Sequence, residues 1–275
     1  MTALVQENIA RELGIDRQLK QGGEATEIAR RVEFIKQILR ESGCKSLVLG
    51  ISGGVDSLTA GRLCQLAVEQ LRDEDYQARF IAVRLPYKTQ ADEQDAQASL
   101  DFIRPDSITT TNIAACVDGL MDNIAIDGLQ PSAQLTDFAK GNVKARARML
   151  AQYAIANFSH GLVVGTDHGA EAVMGFFTKF GDGACDLAPL SGLTKTQVRL
   201  LAGAMGAPAQ LVRKAPTADL EELAPGKLDE VAYGCRYDEI DAYLMGEAVS
   251  PQARQIIENA YFKTAHKRAL PRVPT

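Results

Sequence analysis

The chain has 275 residues, 46% of them hydrophobic, with a formal net charge of −5 and a sequence pI near 5.4. This is enough apolar material for one α/β domain with a well-buried core, and residues 1–275 read as a single domain. Acids and bases are interspersed, so no nucleic-acid surface is expected, and no apolar run of about 18 residues is present to span a membrane. Met1 to Asp16 carries acids and no long apolar core, unlike a signal or transit peptide. Five cysteines, never in a CxxC pair, read as reduced thiols of a cytoplasmic protein without a zinc site. His160, His168 and His266 lack metal-ligand spacing.

Helices are expected over 3–13 and, more strongly, over 24–41, where Ile28, Val32, Ile35 and Leu39 share a face and Gly43 ends the run. The short apolar run 46–51 reads as a buried strand, followed by a helix from about Ser57. A second strand is expected over 79–85, stopped by Pro86, then a helix over 90–103 and a third strand over 107–113. Residues 114–127 and 134–158 carry helical periodicity, with Gly128 and Pro131 between them. Residues 161–165 give a fourth strand ending in Thr166-Asp167-His168-Gly169-Ala170-Glu171. Residues 175–192 show no period and read as a working loop. Thr194 caps a helix to about Met205, a second loop covers 214–220, the acidic stretch after it reads as solvated, and a last helix covers 250–263.

Strands alternating with helices imply a doubly wound, Rossmann-like parallel sheet whose ligand crevice lies beyond the strands' carboxyl ends. Two polar loops, 52–57 and 166–171, fall at that edge. In Gly50-Ile51-Ser52-Gly53-Gly54-Val55-Asp56-Ser57 a strand turns through two glycines into a helix, leaving N–H groups open at the positive end of a helix dipole. Ser52 and Ser57 add hydroxyl donors, and Asp56 is a hard oxygen ligand suited to magnesium. The loop contains no lysine and is neither GxxxxGK[ST] nor GxGxxG. Taken alone, it fits either a phosphate-and-metal site or a tight turn with an acid near a helix start.

Further segments carry a resemblance. SGGVDS (52–57), VRLPY (83–87), KGNVKARARM (140–149), GTDHGAEA (165–172), GFFTKFGDG (175–183), KAPTADL (214–220) and HKR (266–268) resemble the ammonia-dependent NAD synthetases. These belong to the ATP pyrophosphatase, or PP-loop, group, with an adenine nucleotide alpha hydrolase-like fold. The resemblance runs in order along most of the chain, and Val55 stands where many relatives carry glutamine.

The resemblance implies ATP-dependent amidation of deamido-NAD by free ammonia. The nicotinate carboxylate attacks the α-phosphorus, pyrophosphate leaves, and ammonia displaces AMP from the adenylate. It further implies that Gly50 to Ser57 hold the pyrophosphate, that Asp56 and Glu171 bind Mg2+, and that Arg84, Gln90 and Thr166 contact ATP. Lys195 and Thr217 would reach the phosphates, with Lys195 balancing developing charge. Arg146, Lys179, Asp186, His266 and Lys267 would bind deamido-NAD, and Asp182 would deprotonate ammonium. A homodimer is implied too. Read without the resemblance, Arg146, Lys179, Asp186 and Lys195 fit surface positions, and Glu171 fits a first-turn acid. His168 reads as orienting its loop.

Two other functions remain on the sequence alone. One is a PP-loop enzyme adenylating another acceptor, such as a tRNA base for thiolation or a purine for amination; the acidic charge and the missing cysteine pair argue against tRNA. The other is a nucleotide-binding regulator without catalysis, against which the presence of Asp56, Glu171 and Lys195 argues. Asp56→Asn is expected to abolish metal-dependent turnover and leave the fold intact.

Overall fold

Four short β-rich segments, each bounded by turn residues and separated by helical runs, organise the molecule. The computed structural model describes residues 2–19, 21–88, 93–217 and 221–274. Helices α1 (Thr2–Glu12) and α2 (Glu24–Ser42) precede strand β1 (Ser46–Gly50), which leads into α3 (Val55–Asp73). There follow β2 (Arg79–Arg84), α4 (Glu93–Ile103), β3 (Ser107–Thr110), α5 (Ala114–Asp122), α6 (Ala133–Ser159) and β4 (Gly161–Val163). The remainder is helical: α7 (Gly169–Met174), α8 (Lys195–Ala204), α9 (Ala209–Val212), α10 (Asp229–Tyr233), α11 (Tyr237–Leu244), α12 (Pro251–Lys263) and α13 (Ala265–Arg268).

The strands form a four-stranded parallel sheet in the order β3-β2-β1-β4. One face packs on α2, α3 and α8 through Val32, Ile35, Leu39, Leu58, Leu63, Val198 and Leu201; the other packs on α5 and α6 through Val48, Ile81, Val83, Val117 and Ala147. Both faces are therefore covered, as crossovers in a parallel sheet require, and the chain is doubly wound as expected. No helix among the described residues is long and apolar enough to cross a membrane.

β3 and β4 end earlier than their apolar runs. After β3, Asn112 Oδ1 accepts from Ala114 N at 3.0 Å and starts α5, so the chain turns out of the sheet. At the end of β4 the backbone also pairs with 186–187: Val164 N still donates to Val48 O at 2.9 Å, while Gly165 N donates to Leu187 O at 2.8 Å and Asp186 N to Val163 O at 2.8 Å. The working loop thus lies against the end of β4.

The acidic stretch after the second loop is not solvated throughout. Tyr237, Ile240 and Leu244 recur at i, i+3 and i+7 and bury one face of α11 with Ile9, Val173 and Ile257. This second core packs α1, α7, α11 and α12 together. It sets the far wall of the crevice.

Candidate active site

Beyond the C-terminal edge of the sheet lies a cavity of about 470 Å³. Its floor is the turn between β1 and α3. The N-terminus of α3 has no side-chain cap at Gly54, so the first N–H groups of this long helix are available to an anion. Ser57 Oγ accepts from Ser52 N at 3.3 Å and donates to Gly54 O at 3.1 Å, which shapes the turn. Gly53 has φ +87, and a Cβ there would stand 2.9 Å from Ala96 N on α4; only glycine fits. Gly50 N donates to Gln152 Oε1 on α6 at 2.7 Å, which fixes the end of β1.

The opposite wall is charged. Lys195, first residue of α8 and 1% exposed, donates from Nζ to both oxygens of Asp56 at 2.9 and 2.7 Å. Burial works against its charge, but Asp56 and Glu171 outweigh that and hold its pKa above the ordinary lysine value. Burial likewise pushes Asp56 up, and Lys195 reverses the direction, leaving its pKa below the usual range. Glu171 goes the other way: burial, then the neighbouring Asp56, raises its pKa well above normal. Of the two carboxyls, Glu171 is the more readily protonated.

His168 caps α7, its Nδ1 accepting from Glu171 N at 3.4 Å. Burial and Lys195 push its pKa down to about 3, so the ring is neutral. Its Nε2 faces Lys195 Nζ at 3.4 Å, and Asp56 Oδ1 and Glu171 Oε1 each at 3.5 Å. Ligand atoms of Asp56, His168 and Glu171 lie within 4.8 Å of one another. The two carboxylates suit a hard divalent cation such as Mg2+, and their crowding calls for added positive charge; His168, as the cap of α7, orients the segment that carries Glu171.

Thr166, Thr217, Asp182 and Lys267 also line the cavity with Gly50 to Ser52 and Gly54 to Ser57. Gly53 and Arg84 do not. Arg84 ends β2 and forks onto Glu93 at 3.0 and 2.8 Å. Gln90 lies outside the described residues. Asp182 Oδ1 accepts from Thr178 N at 3.0 Å, and partial burial raises its pKa. Asp167 lies nearby; burial and then Asp182 push it up to about 7.

A second group forms on the surface beside the cavity. Arg146 on α6 donates to Lys179 O at 3.3 Å, Lys179 Nζ donates to His266 O at 2.6 Å, and Lys267 Nζ donates to Gly175 O and Phe177 O at 2.8 Å each. Three segments distant in sequence, α6, residues 175–179 and residues 266–267, are joined through backbone carbonyls. Asp186 lies apart from this chain of contacts, accepting from Val163 N at 2.7 Å and from Tyr153 OH at 3.4 Å.

A sequence profile described as NAD synthase matches residues 27–271. The chain belongs to the NAD synthase family. It is 58% identical over 274 residues to the NH(3)-dependent NAD(+) synthetase of Pseudomonas aeruginosa (strain LESB58), covering 98% of this chain and 99% of that one. The NAD+ synthetase of Burkholderia pseudomallei superposes with a TM-score of 0.84 at 47% identity, covering 98% of both chains. A structure of an NMN synthetase from Francisella tularensis superposes with a TM-score of 0.79 at 30% identity, over 91% of this chain and 98% of that one.

Within this NAD synthase fold, several residues of the site carry no motif. Asp241 accepts from Lys195 N at 3.0 Å and from Thr196 N at 2.7 Å, tying α11 to the start of α8. Tyr237 donates to Asp229 Oδ2 at 3.0 Å and places its ring 5.1 Å from Lys195 Nζ. Gln152 and Asp229 also line the cavity. The only sequence signal for Tyr237 and Asp241 is the helical spacing of apolar residues around them, which the surrounding acids mask. Asp137 accepts from Glu222 N at 2.8 Å and Leu223 N at 2.9 Å, pinning the far end of the second loop onto α6.

Proposed function

We propose that these residues carry out the family reaction as follows. The protein amidates deamido-NAD with ammonia at the expense of ATP, releasing AMP and pyrophosphate. The observation that carries the assignment of roles is the pairing of an uncapped α3 N-terminus with a buried lysine across one cavity. The α3 turn, Gly50 to Ser57, takes the β- and γ-phosphates through backbone N–H and hydroxyl groups, with Thr166 and Thr217 on the sides. Arg84 and Gln90 are assigned to the rest of ATP. Asp56 and Glu171 would hold Mg2+, which neutralises phosphate charge as pyrophosphate departs. Lys195 then directs its ammonium to the phosphates.

Arg146, Lys179, Asp186, His266 and Lys267 are assigned to deamido-NAD. The first two and the α13 residues are already linked to one another beside the cavity mouth. Attack of the nicotinate carboxylate on the α-phosphorus forms an acyl adenylate and releases pyrophosphate. Asp182, whose raised pKa makes it a better base than an ordinary carboxylate, takes a proton from ammonium. The resulting ammonia attacks the acyl carbon, and AMP leaves.

Incubation with deamido-NAD, Mg-ATP and ammonium is expected to give NAD, AMP and pyrophosphate in equal amounts. ADP as the nucleotide product would overturn the mechanism. Nicotinate mononucleotide in place of deamido-NAD is expected to react poorly, because the Arg146–Lys179–His266 group would have no second nucleotide to hold. The chain is also assigned as a homodimer through α5 and α6, where Leu120, Leu135, Phe138, Leu150 and Phe158 are exposed. Sedimentation at a single-subunit mass would refute this. Five free thiols fit a reducing cytoplasm, and one domain is assigned to the whole chain.

A further inference from the structure

Asp229 opens α10 and lines the cavity, yet is only 5% exposed. Its two oxygens are treated differently. Oδ2 is held by Tyr237 OH at 3.0 Å, whereas Oδ1 is buried and has no hydrogen-bond partner among the described residues. A carboxylate oxygen left open in such surroundings is costly, so the position favours an incoming cation or donor.

A candidate donor shares the Tyr237 side chain with it. The Lys195 ammonium lies over the same Tyr237 ring whose hydroxyl fixes Asp229, and the Asp229 charge acts on Lys195. At present Lys195 occupies both oxygens of Asp56. A divalent cation held by Asp56 needs those oxygens, and a buried ammonium left with only the neutral His168 ring at 3.4 Å is strongly unfavourable without a second carboxylate.

We propose that Asp229 is a positioning residue for Lys195: its open Oδ1 receives the ammonium when Asp56 is given over to a divalent cation. Lys195 thereby stays charged, ordered and directed into the cavity before any nucleotide arrives. This rests on the assignment of Asp56 and Glu171 to the cation.

The test uses Mn2+ alone as probe, with free Mn2+ measured by electron paramagnetic resonance on the full-length protein without nucleotide. Asp229→Asn is expected to weaken Mn2+ binding about tenfold, the loss of one charged hydrogen-bond acceptor. In a Lys195→Met background, where no ammonium competes, Mn2+ should bind at least as tightly as to the parent protein, and adding Asp229→Asn should change nothing. An unchanged affinity for Asp229→Asn overturns the proposal. So does an equal loss in the Lys195→Met background, which would make Asp229 a direct ligand or a structural support. Should Asp229→Asn fail to fold, Tyr237→Phe releases Oδ2 while keeping the charge, and a loss of about threefold is expected, again only when Lys195 is present. Binding that survives Asp56→Asn, or is absent from the parent protein, would sink the cation assignment and this proposal with it.

Discussion

The two walls of the cavity are built on opposite principles. The α3 wall is made of consecutive residues, neutral donors and one obligatory glycine, and its bonds close within the turn itself or onto Gln152. The charged cluster joins Asp56, the one acid of that turn, to Glu171, Lys195, Asp229 and Tyr237 from the facing elements, and its charges are satisfied mainly by one another. A backbone cradle needs only a local sequence to be ready for its ligand. A charged cluster needs the whole fold, and it must exchange partners when the ligand comes.

The contrast predicts that damage to the charged wall costs both activity and stability. Asp56→Asn should lower kcat by about 10²–10³-fold and, contrary to the sequence reading of an unaffected fold, also destabilise the protein. Lys195 would then be buried against a neutral amide, at a cost of about 1–3 kcal/mol. Steady-state kinetics with a thermal melt checks both; an unchanged melt would mean that the ion pair contributes nothing. On the neutral wall, Gly53→Ala forces α4 away from the turn. A rise of about tenfold in KM for ATP and a loss of about 1–3 kcal/mol are expected, and an alanine variant with parental KM would show that the turn tolerates the displacement.

Asp241→Ala removes the carboxylate that accepts from the first two N–H groups of α8. A stability loss of about 1–2 kcal/mol is expected, with KM for ATP rising while KM for deamido-NAD holds. Equal changes in both would argue that α8 does not serve the nucleotide alone.

A pH comparison sharpens the same point. A proton on Glu171 competes with a cation there, and its pKa is raised, so metal binding must release that proton and strengthens as pH rises. Asp167, near 7, also deprotonates as pH rises and adds charge of the same sign, while His168, near 3, stays neutral. The Mg2+-induced rise in melting midpoint should therefore be larger at pH 8 than at pH 6; the reverse order would count against Glu171. The smallest effect is expected at the exposed surface group. Lys179→Ala should raise KM for deamido-NAD about three- to tenfold and leave that for ATP nearly unchanged.

Legibility from sequence divides along the same line. The strand–turn–helix around Asp56 announces itself because its chemistry depends on neighbours in the chain, and the parallel sheet follows from the alternation of apolar runs. Lys195 is legible only through family resemblance; the strand pattern puts Glu171 at the ligand edge of the sheet, but only the resemblance gives it a role. Asp229, Tyr237 and Asp241 escape because they sit in an acidic stretch whose charge hides a buried face. The strand end at 163 is set by backbone partners at 186 and 187, distant in sequence, which composition cannot report; that at 110 is set locally, by Asn112.

Helix α6 deserves a last consequence. Over 27 residues, about 40 Å at the usual rise, it carries Asp137 under the second loop, Arg146 at the dinucleotide surface and Gln152 against Gly50. Those three attachments are points on one stiff spar. A tilt at its exposed end, such as a neighbouring subunit leaning on Phe158 would impose, reaches the loop, the surface group and the phosphate turn in a single rigid movement.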